Sequence, residues 1–395
     1  MLPEPSLLAA ASACLPQFLD DLAHIVNIDS GTHNRAGVNR VADLVVARLR
    51  ALGCQVQREP SAAAGDLVIG RLSGTGHRQV VLLAHLDTVF EDGTASRRPF
   101  AIGSDGRARG PGVTDDKAGV LAAIYALGIL IECGLPMPAE VIVCLSPDEE
   151  VGSPTARARI EALASAADVV LSLECAREDG ALVQARKGIA DVEIRLTGRA
   201  AHAGIEPERG ADAARAAARL TLALCELADR TPEVSINVGL LRAGSRVNVV
   251  SEHAVVGLEA RAPDGPTLTR VLDRIGQLAA RSGTNGITAD ATVSALCPPW
   301  PRQPATEALV RLAAEVGREV GIEIRASATG GVADANYAAA TGTATLDGLG
   351  PVGGGDHSAD EWLDTTSIAP RTALLAGMLT RLATDPAAIR TELCS

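Results

Sequence analysis

Aromatic side chains are scarce, with three Phe, two Tyr and two Trp in 395 residues, so Leu, Val, Ile and abundant Ala must fill the core. Positive charge is also short: the net charge of −12 repels nucleic acid and anionic membrane and argues against both as partners. No apolar run reaches the length needed to span a bilayer. The eight cysteines are scattered from Cys14 to Cys394 without a C-x-x-C pair. That argues against a disulfide framework or cysteine-zinc site and points to a reducing compartment. The N-terminal Ala/Leu stretch lacks a basic segment and carries Pro3 and Glu4, so a cytoplasmic protein without a signal peptide is expected. G-x-S-x-G, Walker A and H-E-x-x-H sequences are missing, and the dinucleotide-like glycine spacing at Gly348, Gly350 and Gly353 is broken by Pro351.

What is present suits a soluble two-domain enzyme, with 47% hydrophobic and 21% charged residues. Helical spacing of apolar residues occurs over 15–26, 37–52 and 118–133, and Gly53 and Gly134 are natural stops. Strands are predicted at 66–72, 80–84, 140–145 and 169–173, several as continuous apolar runs suited to a sheet interior. This pattern describes an α/β layered domain with a mostly parallel mixed sheet. Beyond it the pattern changes to strict alternation. Strands near 189–197, 234–241, 253–260 and 289–295, with helices near 211–228 and 268–282, give the order βαββαβ. The Pro-rich stretch 298–304 marks the exit, and a helix at 307–320 resumes the first pattern. The expected organisation is therefore a discontinuous catalytic domain, 1–186 and 302–395, interrupted by an inserted α+β domain over 187–301.

Five short segments carry chemistry at strand ends, where α/β proteins place binding groups. They are His85-Leu86-Asp87, the Gly-rich turn leading to Asp115-Asp116-Lys117, Asp148-Glu149-Glu150, Glu174 after three apolar residues, and Gly355-Asp356-His357. Each alone has an ordinary explanation: a capped pair, a helix N-cap, a solvated acidic loop. Their joint occurrence does not, because carboxylates gathered at one sheet edge repel unless a cation lies between them. Two histidines with several carboxylates suit zinc, and manganese or cobalt also fit such donors.

In combination these segments resemble the metallopeptidase family of glutamate carboxypeptidase, aminoacylase, acetylornithine deacetylase and succinyl-diaminopimelate desuccinylase, over about residues 67–368. They are most similar to the bacterial glutamate carboxypeptidases. The resemblance implies two zinc ions per subunit bridged by Asp115, one held by His85 and Glu174 and the other by Glu150 and His357. It makes Asp87 the orienting partner of His85, Glu149 the general base, and the Asp115–Asp116 peptide cis. It further implies that the inserted domain is a lid through which a homodimer forms. His202 would then reach the partner subunit's site and stabilise the oxyanion. Asn248 and Arg261 match positions that grip the substrate carboxylate, and Gly330 and Gly331 would approach the substrate backbone. Cys175-Ala176 follows Glu174 where the family usually has proline.

The implied substrate is a small peptide or N-acyl amino acid, cleaved at the amide next to a residue with a free carboxylate. An N-acyl-amino-acid deacylase would use the same residues. A peptide-binding pseudoenzyme would have no need of a base beside its metals.

Overall fold

The computed structural model describes residues 5–229 and 233–389. Arg186–Pro301 together with Gly330–Val332 forms one compact unit, and the rest of the described chain forms the other.

The larger unit is built on a six-stranded sheet in the order Gln55–Glu59, Leu67–Ser73, Glu140–Ser146, Gln79–His85, Val169–Ser172 and Ala344–Leu346. The first two neighbouring pairs run antiparallel and the last three parallel, so the sheet is mixed. Gln55–Glu59 escapes sequence reading because it is a polar edge strand with no fully buried residue. The parallel register positions the chemistry. Ala84 pairs with Leu145 and Leu83 with Ser172, so three strands leave the sheet at the same edge, about 5 Å from neighbour to neighbour. His85, the Asp148–Glu150 turn and Glu174 all follow at that edge.

Helix Lys117–Glu132 is buried on nearly every side, which explains why its sequence is apolar all round. It ends at Gly134, whose φ of +61° allows Leu135 N–H to bond back to Leu130 O at 2.9 Å. The peptide Asp115–Asp116, just before this helix, is cis. Helix Pro304–Val320 begins three residues earlier than its apolar spacing predicts, because Pro304 sits in the first turn, where a missing N–H costs nothing.

A second, four-stranded sheet of short pieces has the order Gly353–Gly354, Trp362–Asp364, Arg107–Arg109 and Ala101–Ile102. These strands are too short to leave an alternation signal. They tie the segment before Asp115 to the segments flanking His357.

The smaller unit is an antiparallel sheet, Ser235–Ala243, His253–Ala262, Gly188–Thr197 and Thr288–Cys297, with helices Ala213–Asp229 and Gly265–Ser282 packed against it. Its strand and helix order is βαββαβ. Inward residues such as Val192, Ile194, Val256 and Leu258 meet Leu220, Leu224 and Ile275 in a core of their own. Asp264 caps the second helix by accepting from Thr267 N–H at 2.8 Å, which moves its start ahead of the apolar repeat.

Candidate active site

At the common edge of the parallel strands, His85 is buried, and its Nδ1 lies 3.1 Å from the main-chain oxygen of Asp87 and 3.3 Å from Asp87 Oδ1. Both neighbours are acceptors, so Nδ1 carries a ring proton, and Nε2 is the atom that would turn a lone pair to a bound cation. Nε2 faces Asp115 Oδ1 at 2.9 Å and Glu174 Oε1 at 3.8 Å. The other oxygen of Asp115, Oδ2, lies 3.2 Å from His357 Nε2, which is itself 3.0 Å from Glu150 Oε2. Asp115 thus turns one carboxylate oxygen to each of two imidazoles. Ligand-type atoms of His85, Glu149 and Glu174 fall within 4.8 Å of one another, as do those of His85, Asp115 and Glu150.

Charge in this cluster is out of balance. Burial raises the Glu149 and Glu150 carboxyls above the usual range. Asp116, fully buried, is raised by burial and then by the nearby charge of Glu174. His357 is pushed up to about 10 by its hydrogen bonds to Asp115 and Glu150. Burial pulls His85 down, but hydrogen bonds to Asp115 and Asp87 outweigh it and hold the ring well above its ordinary value. Burial opposes ionisation of Asp115 too, yet its contacts with His357 and His85 keep it below the ordinary carboxylate range. Apart from Asp115, each of these groups holds its proton more tightly than usual, where a divalent cation would serve instead. The all-oxygen and imidazole donor set, with lone pairs converging between carboxylates, fits zinc-like ions.

The structure adds partners that sequence reading missed. Asp87 accepts not only near His85 but also from the N–H groups of Glu149 at 3.1 Å and Glu150 at 3.2 Å, and from Thr32 Oγ1 at 2.6 Å. One buried carboxylate therefore orients the imidazole and the turn that bears both glutamates. Asp334 accepts from Ser146 Oγ at 2.6 Å and from Ser153 Oγ, bracketing that turn at both ends. Lys117 is wholly buried and donates to Ile28 O and Pro111 O at 3.1 and 3.2 Å. Cys175 Sγ lies 3.8 Å from Asp356, beside His357 in sequence. Adjacent to Glu150, a cavity of about 410 Å³ is lined by His33, Asn34, Val89, Phe90 and Val151. Most of these partners have no local motif, because they reach their targets across tens or hundreds of residues; the six-residue contact from Lys117 to Pro111 is the exception.

The remaining predicted residues lie in the smaller unit. His202 is exposed, forms a bridge with Val249, and accepts at Nδ1 from Gly204 N–H at 3.2 Å. Asn248 is its neighbour, since Asn248 O accepts from Ala203 N–H at 3.1 Å. Arg261 is not beside them. It sits at one end of strand His253–Ala262, paired across to Ile189 and Ser235, whereas the His202 and Asn248 segments are anchored beyond the His253 end through Gly198–Glu252 and Ala213–Ser251. Eight residue steps along the strand, roughly 25 Å, separate Arg261 from His253. Asn248 and Arg261 therefore do not form one grip within a single copy.

Arg261 binds Glu259 through Nε at 2.6 Å and Nη2 at 3.1 Å, and donates from Nη1 to Gly330 O at 2.7 Å. One hydrogen on each terminal nitrogen remains for another acceptor. Gly331 O accepts from Arg186 Nη1 at 3.3 Å. At Gly330 a side-chain carbon would meet nothing within 4 Å, so its own surroundings do not demand glycine.

An α/β sheet whose strand ends gather imidazole and carboxylate ligand atoms within 4.8 Å of one another suits a metallohydrolase. The chain belongs to Peptidase family M20/M25/M40, which it matches over residues 81–381, and it is a hydrolytic enzyme. It is 31% identical over 381 residues to carboxypeptidase G2 of Pseudomonas sp. (strain RS-16), spanning 94% of this chain and 91% of that protein. Succinyl-diaminopimelate desuccinylase of Methylococcus capsulatus is 25% identical, with 92% and 98% coverage. A tripeptidase from Staphylococcus aureus shares the fold at 21% identity with a TM-score of 0.80, covering 93% of this chain and 98% of that one. No helix among the described residues is long and apolar enough to cross a membrane.

Proposed function

We propose that this enzyme is a two-zinc exopeptidase of the glutamate carboxypeptidase type, which releases a C-terminal amino acid bearing a free carboxylate. The observation that carries the two-ion reading is Asp115, whose oxygens face His85 and His357 separately at 2.9 and 3.2 Å. In this reading Asp115 is shared, His85 and Glu174 complete one site, and Glu150 and His357 complete the other. Manganese or cobalt would be accepted as well as zinc. Two ions held there would polarise the scissile carbonyl and make water a better nucleophile.

The protein's own groups do the rest. Glu149 takes the proton of the attacking water and delivers it to the leaving nitrogen. Its raised affinity for a proton suits that exchange. Asp87 holds the His85 ring and the Glu149–Glu150 backbone so that base and ligands keep their spacing. The cavity beside Glu150 offers room for the part of the substrate upstream of the cleaved bond. The uncommitted N–H groups of Arg261 receive the free carboxylate. His202, with Asn248, stabilises the oxyanion from a second copy, and Gly330 and Gly331 lie along the substrate backbone. The scattered free cysteines favour work in the reducing cytoplasm.

An N-acyl-amino-acid deacylase uses the same residues, and the similarity to a desuccinylase keeps that reading as the alternative. Both require the carboxylate. With zinc present, dipeptides, acyl-glutamates and acetylated amino acids should be cut as free acids. Their C-terminal amides should lose kcat/KM by an amount on the order of 2–4 kcal/mol, as should Arg261→Ala on the free acid. Equal rates on acid and amide by the wild-type enzyme would make it a general amidase instead.

A further inference from the structure

The proposed bridging carboxylate, Asp115, sits on a turn that has little regular structure of its own. The turn is held from far away in the sequence. Glu361 is 1% exposed, and both its oxygens accept main-chain N–H groups of that turn. Oε2 accepts from Gly112 at 2.8 Å, and Oε1 accepts from Thr114 at 2.9 Å and from Asp115 itself at 3.2 Å. The carbonyl side of the same turn is held by Lys117, whose ammonium reaches Pro111 O.

Glu361 is also four residues after His357 and immediately precedes strand Trp362–Asp364. That strand pairs with Arg107–Arg109 on one side and Gly353–Gly354 on the other. The segment bearing His357 and the segment bearing Asp115 therefore meet at this one carboxylate. The junction is close: a side-chain carbon at Gly353 would come within 1.9 Å of Thr114 Oγ1, and one at Gly112, where φ is +71°, within 2.4 Å of Thr88.

A carboxylate is a costly way to hold a turn in the interior, and more so beside another carboxylate. An amide side chain would avoid that cost wherever one acceptor oxygen sufficed. Here it does not suffice: with both oxygens accepting N–H donors, a glutamine would turn its NH₂ toward either Gly112 N–H or the Thr114 and Asp115 N–H groups. The arrangement needs two acceptors, and it needs them where the main chain of Asp115 is fixed.

We propose that Glu361 is a positioning residue of the metal centre, locking the 112–115 main chain so that the two Asp115 oxygens face His85 and His357 at the same time. It touches neither substrate nor ion. The inference rests on the two-ion reading above and names a residue outside that ligand set.

The test uses full-length wild type, Glu361→Gln, which keeps the side-chain shape, and Glu361→Asp, which keeps both acceptors on a shorter stem. Zinc content after dialysis against a zinc buffer, zinc affinity by competition with a chromophoric chelator, kcat and KM, and amide exchange of the 107–117 peptide are measured for each. Glu361→Gln should weaken retention of at least one zinc by about 10- to 100-fold, the usual effect of losing a group that orients a ligand. Its kcat should fall at limiting zinc and recover in excess zinc, while KM stays within about threefold, since no substrate contact is lost. Faster exchange of the 107–117 amides in the zinc-free variant should accompany this, and Glu361→Asp should fall between the two.

Wild-type zinc affinity and wild-type exchange in Glu361→Gln would overturn the proposal. So would lost activity that excess zinc does not restore, because that marks general damage and not a displaced ligand. If the wild type binds one zinc or none, the two-ion reading fails, and this proposal with it. A wild type holding two ions beside an unaffected variant sinks the Glu361 role alone.

Discussion

Glu149 and Glu150 are neighbours in the chain with different tasks in the proposed chemistry. Glu150 reaches His357 Nε2 at 3.0 Å, as a ligand on the same ion would. Glu149 instead comes within 4.8 Å of His85 and Glu174, close enough that distance alone allows it to be a ligand too. Burial raises its affinity for a proton, which is the property a base needs in order to work near neutral pH. Glu149→Gln should therefore lower kcat by at least about a hundredfold while two zinc ions remain bound. Glu150→Gln should lose metal. Elemental analysis of both purified variants checks this, and the reverse pattern would exchange the two assignments. The pair was visible in sequence as an acidic run after an apolar strand. What sequence could not show is that Asp87 binds both of their N–H groups, since that contact spans about sixty residues.

At the scale of elements, legibility followed burial. The continuous apolar strands 80–84 and 140–145 are nearly fully buried, so composition alone marked them, and their parallel pairing set His85 and Glu150 at one edge. The polar edge strand Gln55–Glu59 and the two-residue strand Gly353–Gly354 have no such signal. Gathering acids at strand ends also has a consequence for stability. In the metal-free protein the folded state keeps protons on Glu149 and Glu150 that the unfolded chain would release.

A carboxyl raised by folding favours the folded state while it stays protonated, and that support is lost as pH rises from its unfolded value through its folded one. His357, raised to about 10, adds support below about 6.5 that fades above it. Both signs agree. Stripped of metal, the cluster should lose stability as pH rises from 5 to 7, at up to about 1.4 kcal/mol per pH unit for each proton released. Zinc, by replacing those protons, should remove the loss. The gap in Tm between zinc-loaded and stripped protein should therefore widen over this range. Calorimetry at pH 5, 6 and 7 measures it, and a gap that stays constant or narrows would count against a cation among these groups.

For the whole molecule, the decisive geometry is inside the smaller unit. Arg261 and the His202–Asn248 pair flank opposite ends of a ten-residue strand, so one copy cannot bring all three to one small substrate. A second copy can, if His202 and Asn248 come from one subunit and Arg261 from the other. The unit also has features that favour such pairing. Its two edge strands, Ser235–Ala243 and Thr288–Cys297, are nine and ten residues long, with most of their side chains exposed. Leu241, Val293 and Leu296 are among them. Long exposed edges of this kind invite another strand unless something covers them. Near His202, Ile205 and Val247 are exposed apolar side chains that a partner would also cover.

A homodimer completed in this way predicts a specific ratio. His202→Ala and Glu149→Gln should each be nearly inactive alone. Mixed in equal amounts and allowed to exchange subunits, half the dimers are heterodimers, and each has one site with both residues intact. Activity should recover to about a quarter of wild type, the value set by random pairing in a two-fold dimer. Native mass spectrometry of a mass-tagged pair verifies the exchange. If heterodimers form and activity stays at the level of the separate variants, His202 serves its own subunit or does not take part in catalysis, and the shared-site dimer is wrong.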